Sequence, residues 1–270
     1  MYLFVISISG TTRISARTLN LIQEVKNTGG VVYWIGEELD YSELLNNIDL
    51  SLAKFVVGGD ISEGEFNCLM NHQKIYQKII DMNISSALII EDDADLVVST
   101  QKLFTTIKNC ESSNYEIVNL HSTLGGVFVG ASNQIILKAL IPPLSAFSYW
   151  ITNYGAHLMQ NKVVPAGLAD WPLNIHMFRS AATRENLFMH GDTQSLIKPT
   201  LNESAKERIH IAYRPLKQIF SLKNISLISR VIDITGKVIF FRIVIYQRFL
   251  KRVSRKLKRK KDNSSIKFII

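Results

Sequence analysis

The chain is poor in cysteine. Its 270 residues include two, Cys68 and Cys110. Two thiols make no disulfide framework, and neither belongs to a CxxC pair, which argues against a structural zinc site. A reducing compartment is the expected setting. Proline and glycine are also sparse, at 6 and 14 residues, which excludes collagen-like and low-complexity disordered chains. No run of about 18 apolar residues occurs, so no membrane-spanning helix is expected. The opening stretch MYLFVISISGTTR is apolar too briefly for a signal peptide and has no basic n-region. It reads as the first core strand of a cytosolic domain. No internal repeat occurs.

What is present begins with apolar residues, 47% of the chain, enough to bury a sizeable core. Charge is unevenly spread. Residues 237–270 hold 12 Lys and Arg against one acid, a net of +11, so residues 1–236 carry −3 of the chain's formal +8. The basicity belongs to a tail, and the body offers no basic groove of the kind nucleic acid requires.

Through the first 160 residues, apolar runs of strand length alternate with helical periodicity. Strands are expected at 2–8, 30–35, 53–57, 87–90, 115–120, 126–129 and 145–152. Helices are expected at 12–26, from Ser62 onward, and at 154–160. Ser62 stands three residues before Glu65, a capping-box signature. The alternation argues for an α/β fold with a mainly parallel sheet, in which ligands gather beyond the carboxyl ends of the strands. Residues 165–215, with Pro165, Pro172, Pro199 and Pro215, read as irregular. We divide the chain into a body, 1–215, and a helical basic tail, 216–270.

One such strand end is unusual. The apolar run ALII leads into Glu91, Asp92, Asp93, Ala94 and Asp95. Four carboxylates crowded after a buried strand repel one another and are costly to desolvate, so something positive must offset them. A divalent cation with an anionic substrate is the economical explanation, since hard cations prefer carboxylate oxygens. A solvated acidic turn is the ordinary alternative. On the preceding helix, Glu65, Cys68 and His72 stand at spacings that allow one shared face. A buried histidine bonded to a neighbour and a small core cysteine are the ordinary alternatives there.

The segment GE-x-x-C-L-x-x-H followed by LIIEDDA resembles glycosyltransferase family 25, the lipooligosaccharide glycosyltransferases. Gly64, Glu65, Cys68 and His72, then Glu91, Asp92 and Asp93, carry the resemblance. The chain departs from the family pattern at Asn67, where glycine is usual, and at Asn71, where serine is usual. FVISISGTTR, AFSYWITNYGAHLM and PAGLADWPL resemble three further family segments, so that the likeness spans about residues 2–200.

The resemblance implies a GT-A-like nucleotide-sugar-binding fold and transfer of a hexose, most often galactose from UDP-galactose with inversion, to a lipid-linked oligosaccharide acceptor. It places Glu91, Asp92 and Asp93 where the family binds a divalent metal, Mn²⁺ or Mg²⁺, with Asp95 nearby. His190 is a further metal candidate, and it stands with Asp192 in a polar segment that would also suit an ordinary loop. Arg13 and Arg17 are candidates for the donor diphosphate, as bidentate guanidinium groups, or are plain surface arginines. Glu65 and His72 are further donor-site candidates. Asp170 is the candidate base for the acceptor hydroxyl, with an exposed loop carboxylate as the alternative.

The tail is a separate signal. Residues 238–250 are apolar but interrupted by Arg242 and Arg248, and 251–261 are strongly basic. That pattern suits an interfacial helix on anionic lipid. A core helix followed by a free basic tail is the alternative. The expectation is a peripheral enzyme on the cytoplasmic face of a bacterial inner membrane, with anionic membrane bound through 238–261 and no nucleic-acid partner.

Overall fold

The structure is a computed structural model, and it describes residues 1–7, 13–36, 63–121, 127–141, 146–161 and 179–190. The strand expected at 53–57, the Ser62 cap, Asp170, Asp192 and the whole tail 216–270 lie outside the described residues.

Ten strands and four helices are described. The strands are β1 (Tyr2–Ile6), β2 (Val31–Ile35), β3 (Ser86–Glu91), β4 (Ala94–Leu96), β5 (Ile117–Asn119), β6 (Val127–Val129), β7 (Ile136–Ile141), β8 (Ser148–Thr152), β9 (Ser180–Thr183) and β10 (Phe188–His190). The helices are α1 (Ala16–Asn27), α2 (Glu63–Asp81), α3 (Thr100–Glu111) and α4 (Asn153–Asn161). Eight strands form one sheet in the order β2-β1-β3-β8-β5-β9-β7-β6, while β10 and β4 pair separately.

Period-two alternation along the central strands builds two cores. Leu3, Val5, Leu88, Ile90 and Trp150 face α1 and α3, meeting Leu21, Ile22, Val25, Leu103 and Ile107. Phe4, Ile6, Ala87, Ile89 and Tyr149 face the other way, meeting Ile75, Tyr76 and Ile79 of α2 and Ala156 and Met159 of α4. Strands apolar on both faces are what a sheet covered by helices on both sides requires. The expected α/β class holds, and the sheet is mixed. β1 is parallel to β2 and β3, but β8 enters antiparallel between β3 and β5. Apolar runs carry no sign of strand direction, so this reversal was not legible from composition.

Helix ends follow local chemistry. Ser15 caps α1, its hydroxyl accepting from the Thr18 N–H at 3.2 Å. At the other end Gly30 N–H reaches Val25 O at 2.8 Å and Gly29 N–H reaches Lys26 O at 3.0 Å. This Schellman closure puts Gly29 at φ +76°, a conformation open to glycine. Asn83, at φ +49°, closes α2 in the same way, with Ile84 N–H on Ile79 O. Ser99 caps α3, a helix that buries Leu103, Thr106, Ile107 and Cys110. Burial pushes the Cys110 thiol up to about 12, as suits a packing residue.

Candidate active site at the β3–β4 turn

β1 and β3 run parallel with Ile6 opposite Glu91, so both chains reach their carboxyl ends together. Ser7 follows β1, held by its N–H to Ile35 O at 2.8 Å. Gly36 permits this approach, because a Cβ there would lie 1.5 Å from Ser7 O. Past Glu91 the chain turns through Asp92 and Asp93 into β4, beside the start of α1.

The four carboxylates expected to crowd together divide among three sets of partners. Glu91 continues the parity of Ala87 and Ile89 and faces α2. There His72 Nε2 lies 3.4 Å and Cys68 Sγ 3.8 Å from Glu91 Oε1. Asp92 and Asp93 lie with Arg13, whose Nη1 is 3.3 Å from Asp92 Oδ1 and whose Nη2 is 3.1 Å from Asp93 Oδ2. The Ser7 hydroxyl donates to Asp92 Oδ2 at 3.2 Å. Asp95 accepts from the Ser15 hydroxyl at 2.5 Å, at the α1 N-terminus. Thr18 closes this corner, donating to Ala94 O and accepting from Leu96 N–H.

His190 reaches the turn through the β4–β10 pairing, in which it stands opposite Ala94. Its Nδ1 lies 3.6 Å from Asp93 Oδ1. Its ring packs on Phe147, which stacks in turn on His121, with centroids 4.1 Å apart at both contacts. Sequence reading left 165–215 without regular structure, yet β9 and β10 lie within it and bring His190 home. Four-residue and three-residue strands are too short to register as a periodic pattern.

The electrostatics follow from this placement. Burial raises the Asp92 carboxyl above its ordinary range, against the pull of Arg13. Asp93 feels the same burial, but His190 and Arg13 outweigh it and hold this carboxyl below the ordinary range. His190 is raised by its contact with Asp93, against partial burial. The positive charge that the acidic turn demands is therefore supplied in part by the chain itself, as Arg13. Asp93 Oδ1 is buried and has no hydrogen-bond partner, with His190 just beyond hydrogen-bond reach. A carboxylate oxygen with an open lone pair beside an imidazole nitrogen fits a divalent cation such as Mn²⁺.

On the α2 side, His72 is 1% exposed. Its Nδ1 contacts Tyr149 Oη at 2.7 Å, and Tyr149 Oη contacts Tyr76 Oη at 2.8 Å. Burial raises both tyrosines, so each hydroxyl keeps its proton. Of the remaining donor-site candidates, Arg17 is exposed on α1, and Glu65 lies in α2 with its side chain outside the described ones. Ser7, Ser15, Tyr76 and Tyr149 escaped sequence reading as site residues. Strand parity would have assigned Glu91 to the α2 face, but nothing in the sequence tied Tyr149 to His72.

A family model described as glycosyltransferase family 25 (LPS biosynthesis protein) matches residues 4–162. The chain belongs to glycosyltransferase family 25. The match takes in Arg13, Cys68, His72, the acidic turn and Tyr149, and stops short of Asp170 and His190. Family 25 membership makes the chain a glycosyltransferase, with a nucleotide-sugar donor and an acceptor. Among solved structures the chain is similar to a glycosyltransferase involved in the glycosylation of the major capsid of PBCV-1. There the identity is 12%, coverage is 78% of this chain and 98% of that one, and the TM-score is 0.41. It is also similar to A197 from STIV, at 10% identity, 69% and 82% coverage and a TM-score of 0.37. No curated protein matches the chain.

Proposed function

We propose that this family 25 enzyme transfers a hexose, galactose from UDP-galactose being the leading choice, to a lipid-linked oligosaccharide of a surface glycan. The observation that carries the reading is the convergence of Arg13, Asp92, Asp93 and His190 at the carboxyl ends of β1 and β3. That edge is where α/β sheets gather nucleotides.

In this reading Asp93, Asp92 and His190 would hold a Mn²⁺ or Mg²⁺ ion, which would supply positive charge toward the donor diphosphate. Arg13 bridges the two aspartates and keeps both carboxylates aimed at one side of the turn. Its Nε–H is buried without a hydrogen-bond partner, and its guanidinium is the charge we assign to the donor diphosphate. Ser7 holds Asp92 in place from β1. Asp170 takes the proton of the acceptor hydroxyl as it attacks the anomeric carbon, giving inversion. The tail segment 238–261 holds the enzyme on anionic lipid at the cytoplasmic face of the inner membrane, where its acceptor is found. Among the described residues no helix is long and apolar enough to cross a membrane.

The test is release of nucleotide from a panel of nucleotide sugars, with acceptor lipid, in Mn²⁺ or in EDTA. Metal-dependent release from one donor is expected, with UDP-galactose first. No release from any donor would move the protein to a non-catalytic binding role. Release that persists in EDTA would remove the cation from the reading.

A further inference from the structure

The set on the α2 side of the acidic turn brings a thiol, an imidazole and a carboxylate together. Cys68 Sγ, His72 Nε2 and Glu91 Oε1 all lie within 4.8 Å of one another. The His72–Glu91 contact of 3.4 Å is long for a hydrogen bond, and Cys68 Sγ lies 3.8 Å from the same carboxylate oxygen. The neighbouring His72–Tyr149 contact, at 2.7 Å, has an ordinary hydrogen-bond length. Ligands of a tetrahedral zinc ion, at bond lengths of about 2.0–2.3 Å, stand roughly 3.3–3.6 Å apart. The His72–Glu91 contact lies within that spacing, and the Cys68–Glu91 contact slightly above it.

We propose that Cys68, His72 and Glu91 form a binding site for a borderline-soft divalent cation of the Zn²⁺ class, separate from Asp92 and Asp93. The donor chemistry selects the ion. Thiolate and imidazole favour zinc over manganese or magnesium, which take oxygen. A thiolate, a carboxylate and a neutral imidazole around a divalent cation sum to zero charge, which suits a buried position. Metal-bound histidines donate their other ring N–H to a second group, and Tyr149 Oη is that group for His72. Tyr76 fixes the Tyr149 hydroxyl in turn. The i, i+4 spacing of Cys68 and His72 on α2 puts both on one face, and β3 delivers the third ligand from the sheet. Three protein ligands leave a fourth position for water or an anionic group. The lack of a CxxC pair excludes a cysteine-only zinc ribbon, and this mixed set does not need one.

The test uses full-length protein loaded with Zn²⁺, freed of excess metal by desalting, and assayed for zinc by elemental mass spectrometry. About one zinc per chain is expected, and Co²⁺ in its place should give a thiolate-to-metal charge-transfer band. Cys68→Ser should abolish that band, and Tyr149→Phe should weaken Zn²⁺ affinity about 10–100-fold. Asp93→Asn should leave the band and the zinc content unchanged. A wild-type chain that is folded by circular dichroism yet retains neither metal overturns the proposal. So does a band that survives Cys68→Ser or vanishes with Asp93→Asn. No nucleotide sugar enters this experiment, so its failure is independent of any failure in the donor-release assay.

Discussion

Glu91 and Asp92 are neighbours in the chain and live in different chemistries. Glu91 faces α2, among a thiol, an imidazole and two buried tyrosines. Asp92 faces away, with Asp93, against a guanidinium and a serine hydroxyl. One group is organised by contacts of a thiol, an imidazole and two phenols, the other by a guanidinium between two carboxylates. The divider is the end of β3: Glu91 is its last residue and keeps the strand's parity toward α2, whereas Asp92 and Asp93 lie in the turn beyond it, where both meet Arg13. A run of acids at a strand end is therefore a poor guide to a single site. Its members must be sorted into strand and turn residues before they are counted as ligands.

The largest expected change in stability comes from removing Arg13. Arg13→Met leaves Asp92 and Asp93 side by side and largely buried, with side-chain exposures of 6% and 12%. Breaking a buried pair costs about 3–5 kcal/mol, and the solvent near this turn reduces the figure to about 2–3 kcal/mol. Urea unfolding in EDTA measures it. A loss under about 0.5 kcal/mol would mean that the two aspartates are solvated rather than paired.

The α2 side offers a change of opposite sign. Asn71, where the family pattern has serine, is fully buried with neither side-chain amide atom bonded. Serine can bond its own helix at the i−4 carbonyl and leaves no stranded amide. Asn71→Ser is expected to stabilise the chain by about 1 kcal/mol in the same unfolding assay. A loss of stability would show that the amide fills space that serine leaves empty.

The smallest effect is a pH signature confined to the Asp93 side. His190 is raised from its ordinary 6.5, so its contribution is present below that value and fades as pH rises through the folded value. Asp93 is lowered from 3.8, so its contribution is present above that value and fades as pH falls through the folded one. The pair is strongest between about pH 4 and 6.5. His190 is half exposed, which keeps the expected difference between wild type and His190→Gln below about 1 kcal/mol. In EDTA that difference should peak near pH 5 and shrink at pH 8. A flat profile would detach His190 from the turn.

Much of the central architecture was legible in the sequence. The apolar runs at 2–8, 30–35 and 87–90 correspond to β1, β2 and β3, and the periodic stretch 12–26 overlaps α1, Ala16–Asn27. These elements announce themselves because they are buried on a regular period. α3 was passed over although Ser99 caps it, because its stripe of Leu103, Thr106, Ile107 and Cys110 includes a threonine and a cysteine. β7 and β9 lie toward the far edge of the sheet; the β7 run ILKALI suits a buried helix as well as a strand, and β9, SAAT, has no large apolar residue. At the site, the acidic turn, His72 and His190 stand out in the sequence by residue type alone, and the structure places both histidines beside the turn. Their division into separate groups, and the buried placement of Arg13, depend on contacts across about 80 residues of chain. No local pattern encodes those contacts.

The central claim is that the Asp92–Asp93 side, with its aspartates and Arg13, is the donor side of the enzyme. The most direct measurement compares Mn²⁺-dependent nucleotide release by wild type and by Asp93→Asn, at matched fold and saturating donor. The account predicts a fall of about 10²–10³-fold in turnover for Asp93→Asn. Turnover equal to wild type in Mn²⁺ would contradict it.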